Sequence, residues 1–217
     1  MNQTEHYLEK LHLEILDIMD EIHKICEENN IKYFMIGGTL LGAIRHGGYI
    51  PWDDDLDIAM PREDYERFLI IAPEKLSKSY SLVTFDRDSN YHQPFAKVVK
   101  KNTLFKETPT GNMGIFVDVF PYDYTKGVSK KLIFKKNLYR VFCDVPNKFG
   151  ELPFRFKYLP SIFLRLFLGR KKALRFADSI AQSIKRKGST HYSNFASGYK
   201  IIRETYPIEW FDNCTLS

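Results

Sequence analysis

The 217-residue sequence predicts an α/β (α+β) fold: a mixed sheet flanked by helices, with a basic helical subdomain attached. Three observations carry that expectation. Helix-period and strand-period apolar patterns alternate through roughly the first 120 residues. Two of the strand-like runs are interrupted by acids, at Asp55 and Asp57 and again at Asp118. Charge is unevenly placed, since residues 126 to 187 hold 17 Lys or Arg against 3 acids while the whole chain is only +5. The expected organisation is a core over 1–125, a basic helical region packed on it over 126–200, and over 201–217 the start of a C-terminal element that is cut short.

Leu8, Leu11, Ile15, Ile18, Ile22 and Ile25 are spaced by three and four, which predicts one amphipathic helix over residues 5 to 28. His12 and His23 lie on or beside it and receive no catalytic role. Asn29-Asn30 ends it, because asparagine tolerates the left-handed conformation that closes helices. Ile31 to Ile36 is a short apolar run and predicts a buried strand. Gly37-Gly38 follows, then Thr39 and a helical spacing of Leu40, Leu41 and Ile44. A glycine pair at a strand-to-helix turn lets backbone amides approach an anion closely; the plainer reading is a tight turn. Thr39 suits an N-cap or a phosphate contact. Arg45, His46, Gly47 and Gly48 read as a cationic link, with the planar fork of Arg45 suited to phosphate oxygens or simply exposed.

Residues 53 to 57 read Asp-Asp-Asp-Leu-Asp. If they are a strand, Asp55 and Asp57 project from one face while Leu56 and Ile58 face the core. Pro61 to Asp64 then starts a helix whose buried face is Tyr65, Phe68, Leu69 and Ala72, disturbed near its end by Pro73. Strands are expected over Ser81 to Phe85 and Phe95 to Val99, the second carrying Lys97 either among apolar neighbours or into a site. Asp118 stands between Val117 and Val119, and a lone acid there is costly to bury without a partner. A bound cation would compensate it, and so would an arginine or an exposed strand end.

Composition excludes several classes. An apolar fraction of 44% and a charged fraction of 27% are those of a globular protein. Cys26, Cys143 and Cys214 are too scattered for a zinc site or a disulfide framework. No signal peptide and no membrane-spanning run is visible, so the expected place is the cytoplasm. From Pro153 to Lys172 aromatics alternate with cations, which reads as a packed helical lid or as a helix docking at the anionic inner face of the membrane. No nucleic-acid-binding signature accompanies it.

The acid cluster admits three metal chemistries. A calcium loop starting at Asp53 needs glycine sixth and glutamate twelfth, where Ile58 and Asp64 stand. A nucleotide-sugar transferase needs a nucleotide-binding sheet before its acid pair, and only one helix and one short strand precede this one. A glycine pair, two Asp about 17 residues later and a third Asp on a distant strand is instead a nucleotidyltransferase-like layout.

The residues GGTLLGAIRHGGYIPWDDDLDIAM, with GIFVDVFPYD beyond them, closely resemble the LicD family of phosphorylcholine and ribitol-phosphate transferases. The resemblance implies a metal-dependent phosphotransferase moving a phospho-alcohol from a CDP-activated donor to a hydroxyl of a cell-surface glycan, with release of CMP. It implies Mg²⁺, with Mn²⁺ as the alternative, on Asp55, Asp57 and Asp118, which are also the expected catalytic residues. Asp118 or Asp53 would accept the acceptor's proton. Substrate contacts are expected from Gly37, Gly38, Thr39, Arg45, His46, Trp52 and Lys97. A carried choline would want an aromatic cage, for which Tyr33, Trp52, Tyr91 and Tyr122 are available. The rival functions are a nucleotidyltransferase using an NTP and an inactive binding protein.

Overall fold

The computed structural model describes residues 3–108, 111–143, 167–184 and 186–212. The apolar stripe near the N-terminus becomes helix α1, Gln3–Asn29, with Ile15, Ile18 and Ile22 fully buried. Its end follows from the asparagines. Asn30 takes φ 52°, and the Asn30 and Ile31 amides donate to the carbonyls of Glu27 and Cys26, the paired pattern that satisfies the last helical acceptors.

The chain divides into two units, residues 1–84 with 95–121, and residues 85–94 with 122–217. The first contains α1, β1 (Phe34–Met35), α2 (Gly37–His46), β2 (Asp57–Pro61), α3 (Arg62–Lys75), β3 (Tyr80–Val83), β4 (Ala96–Lys100), the small hairpin β5 (Phe105–Thr108) and β6 (Gly111–Met113), and the first part of β7 (Phe116–Thr125). Its sheet runs β1-β2-β7-β4-β3, with β1–β2, β3–β4 and β4–β7 antiparallel. Ile15, Ile18 and Ile22 from α1, Phe68 from α3, and Ile58, Val98, Val117 and Val119 from the strands form one core. That core is why β2 and β7 can carry acids on their other faces.

Several local expectations shift. The strand expected over Ile31 to Ile36 shortens to Phe34–Met35, because only those residues pair with β2 and Ile36 becomes the N-cap of α2. Thr39 is therefore not a cap but lies inside the first turn. Arg45 and His46 are not a link either: they form the last turn of α2, which Gly47 closes at φ 64° by donating to the Gly42 carbonyl. Helix α3 continues two residues past Pro73, to Lys75.

Gly42 marks a close approach. A Cβ there would sit 2.5 Å from the Gly48 carbonyl oxygen and 2.8 Å from the Ile50 nitrogen, both backbone. In an ordinary helix Gly→Ala stabilises by roughly 0.5–1 kcal/mol. Here the sign reverses: Gly42→Ala should destabilise by about 1–3 kcal/mol, as overpacking does. Gly48→Ala, with nothing within 4 Å, should be tolerated. Urea unfolding of the two variants separates these outcomes.

In the second unit, α4 (Lys130–Cys143) and α5 (Arg170–Ala181) bury Leu132, Tyr139, Phe142, Ala173 and Ala177 together with Phe195. Strands β8 (His191–Ser193) and β9 (Thr205–Pro207) extend from the second part of β7, with Asp123 opposite Ser193, and a one-turn helix α6 (Glu209–Asp212) follows. Lys136 is buried, and its ammonium donates to the carbonyls of Asn194, Phe195 and Ser197. Of the basic aromatic stretch, residues 153–166 lie outside the described residues. The helix that follows turns its apolar face inward and leaves Lys171 and Lys172 exposed. Among the described residues no helix is long and apolar enough to cross a membrane.

Candidate active site

The acid segment is an extended lead-in to a strand. β2 begins at Asp57, so Asp53, Asp54 and Asp55 precede the pleat rather than follow it. Leu56 and Ile58 are buried as their alternation requires. Hydrogen bonds to several elements fix the segment. The Asp53 amide donates to Ile50 O (2.9 Å), and Asp118 N–H donates to Leu56 O (3.0 Å). The Asp57 amide donates to Thr39 Oγ1 at 2.8 Å. The Asp53 carbonyl accepts from His12 Nε2 at 2.7 Å.

Carboxylates converge on this frame. One oxygen each from Asp53, Asp54 and Asp55 lies within 4.8 Å of the others. The carboxyl of Asp57 is pushed up to about 7, first by burial and then by Asp118 and Asp55, with Lys97 opposing and Asp53 adding a little. Asp118 faces Lys97 across the β4–β7 register, with Lys97 Nζ 2.9 Å from Asp118 Oδ1. Lys97 is only 2% exposed, and its ammonium also stands 3.2 Å from the centre of the Phe116 ring. A lysine thus compensates Asp118 in the fold.

The glycine pair opens α2 directly against these acids. A Cβ on Gly37 would lie 3.4 Å from Asp57 Oδ2, and one on Gly38 would lie 2.5 Å from Asp53 Oδ2. The glycines therefore let the helix start approach the carboxylates. Thr39 contributes its hydroxyl oxygen to the Asp57 amide. Asp53, Asp55, Asp57, Asp118, Lys97, Gly37, Gly38 and Thr39 all belong to this one region of the first unit. Arg45 and His46 sit at the other end of α2, about 12 Å along the axis at 1.5 Å per residue. Both are exposed, as is Trp52, whose ring meets that of His46 edge to face at 6.3 Å. Of the aromatic residues considered for a cage, Tyr33 bonds His23 (3.0 Å), and Tyr91 and Tyr122 belong to the second unit.

His12 and Tyr49 are the residues that sequence reasoning missed. Their rings stack at 4.0 Å and 3°, and the Tyr49 hydroxyl is held in its neutral form by burial and by the Asp55 and Asp53 charges. Only the place of His12, one residue from Leu11 on the helical stripe, hinted at this.

The raised Asp57 carboxyl has a consequence for stability. The folded, metal-free protein holds that proton more tightly than an unfolded chain, whose carboxyl has the ordinary value of 3.8. The stabilisation is therefore fully present below about 4 and is lost as pH rises through about 7, a span worth a few kcal/mol. Urea midpoints of chelator-treated protein should fall across that window, and less so for Asp57→Asn.

The donor set is entirely carboxylate oxygen, and burial together with the acidic neighbours pushes its member Asp57 up to about 7. That is the hard, anionic environment Mg²⁺ or Mn²⁺ takes, so the residues fit such an ion. The chain belongs to the LicD family: the LicD/FKTN/FKRP nucleotidyltransferase domain matches residues 30–154, more than half of the chain.

Among its relatives, the lipopolysaccharide cholinephosphotransferase LicD of Haemophilus influenzae is 38% identical over 117 residues, 54% of this chain and 44% of that protein. An uncharacterised protein of Rickettsia typhi is 45% identical over 74 residues, 34% of this chain and 24% of its own length. The human ribitol 5-phosphate transferase FKRP is 48% identical over 40 residues, 18% of this chain and 8% of that protein. The chain thus spans less than half the length of each of these relatives.

Proposed function

We propose that the chain transfers a phospho-alcohol, phosphocholine-like in class, from a CDP-activated donor to a hydroxyl of a cell-surface glycan. The observation that carries this reading is the clustering of Asp53, Asp55, Asp57 and Asp118, with Asp53 and Asp57 set against the glycines that open α2. In the reaction the glycan oxygen forms a bond to the phosphorus of the phospho-alcohol. The bond from that phosphorus to the bridging oxygen breaks, and CMP leaves with the electron pair. Asp55, Asp57 and Asp118 would hold Mg²⁺ or Mn²⁺, which when bound neutralises charge on the diphosphate and acidifies a nearby hydroxyl.

The chain's own groups supply the rest. Asp118 already shares its charge with Lys97, so Asp53 is the better acceptor for the hydroxyl proton. Gly37, Gly38 and Thr39 bring the amide end of α2 beside the acids, where a phosphate oxygen is favoured. Arg45, His46 and Trp52 offer exposed cationic and aromatic contacts to the donor or acceptor. Exposed Phe167, Lys171 and Lys172 would meet an anionic membrane surface, and liposome co-sedimentation with and without anionic lipid tests that contact.

The reading is tested by incubating the protein with CDP-choline, CDP-ribitol and CDP-glycerol and measuring CMP. Metal-dependent CMP release from at least one donor is expected. Pyrophosphate released from an NTP, with no CMP from any donor, would replace the reading with nucleotidyl transfer.

A further inference from the structure

We propose that His12 is a positioning residue that pre-forms the acid segment from helix α1. This rests on the phosphotransferase reading above and assigns a role to a residue outside the family motif.

The geometry has two parts. A backbone carbonyl can only accept, so His12 Nε2 carries the hydrogen in its 2.7 Å contact with Asp53 O, and that bond joins residues 41 apart in sequence. The ring cannot swing away, because its face lies on Tyr49 at 4.0 Å and 3°. Tyr49 itself comes immediately before Ile50, whose carbonyl holds the Asp53 amide, and it packs against the core. His12 rides on α1, whose neighbouring Leu11 and Ile15 are buried in that core.

The need for such a brace follows from charge. Asp53, Asp54 and Asp55 place like charges within 4.8 Å, and they precede strand β2. Like charges at that separation repel, and a segment free to relax would splay. Bonds at Asp57 and Leu56 hold its far end, to Thr39 and Asp118. At the near end the Ile50 bond is a local turn, and His12 adds the tie to a distant, rigid element. Holding the carboxylates together before a cation arrives lowers the ordering cost of binding it.

Two variants separate the donor from the ring. His12→Phe keeps a ring for Tyr49 and removes the hydrogen-bond donor, whereas His12→Gln supplies an amide donor of similar reach. Hydrogen exchange is read over residues 50–57 in metal-free protein, and Mn²⁺ affinity by electron paramagnetic resonance. His12→Phe should keep its helix content by circular dichroism, exchange the segment about tenfold faster, and bind Mn²⁺ about 10–100-fold more weakly. His12→Gln should recover most of both.

Unchanged exchange in His12→Phe overturns the proposal, as does wild-type Mn²⁺ affinity in that variant. Faster exchange in a protein whose wild type binds no Mn²⁺ leaves the bracing intact and instead overturns the phosphotransferase reading.

Discussion

Asp57→Asn should abolish CMP release, by on the order of 10²–10³-fold or more, while making the metal-free protein more stable at pH 8. The two effects have opposite signs for one reason. Asp57 is buried beside Asp118 and Asp55, and its carboxyl is pushed up to about 7, so above that pH the fold carries a charge it would rather neutralise. Asparagine keeps the shape and removes the charge. The stability gain should vanish at pH 4, where the aspartate is already protonated. A residue that destabilises its own fold and is needed for turnover is what a functional site produces. Urea unfolding at pH 4 and pH 8, beside a CMP assay, checks all three statements. A variant that is less stable at pH 8, or as active as wild type, would count against them.

The second large effect lies on β4, across β7 from Asp57. Lys97→Met should destabilise by about 3–5 kcal/mol, because it removes the ammonium 2.9 Å from Asp118 Oδ1 and leaves a carboxylate in a nearly dry place. Methionine conserves most of the aliphatic volume, so the loss is chiefly electrostatic. The double variant Lys97→Met, Asp118→Leu should recover most of the stability, since replacing both partners by apolar groups is often close to neutral. It should remain inactive. If Asp118 also binds a cation, millimolar Mg²⁺ should raise the melting temperature of Lys97→Met more than that of the double variant. A double variant no more stable than Lys97→Met would show that the pair is not what Lys97 stabilises.

How far the sequence foretold this depends on the range of the interaction. The α1 stripe and its closing Asn30 were legible because helix periodicity and left-handed asparagine are local properties. Asp118 stood out because an acid between two valines must be compensated somewhere, and Lys97 was already a candidate on a neighbouring strand. Their pairing became visible only with the β4–β7 register. What was not legible is where the strand opens: pairing with β1 starts late, Met35 aligning with Ile58 and Phe34 with Ala59, so Asp55 precedes β2 and Asp57 begins it.

The same pairing cut the first strand to two residues and moved Thr39 into the helix. His12 and Lys136 were illegible for another reason. Each satisfies backbone carbonyls more than forty residues away, and no pattern of side chains announces where a distant carbonyl will lie.

The carboxylates of residues 53–57 and Asp118 are proposed to form a metal site for phosphoryl transfer. Titration of the wild-type chain with Mn²⁺, followed by electron paramagnetic resonance, tests it most directly. Saturable binding that Mg²⁺ competes away and that Asp57→Asn loses is the predicted result. Absence of binding, or equal binding by wild type and Asp57→Asn, would contradict it.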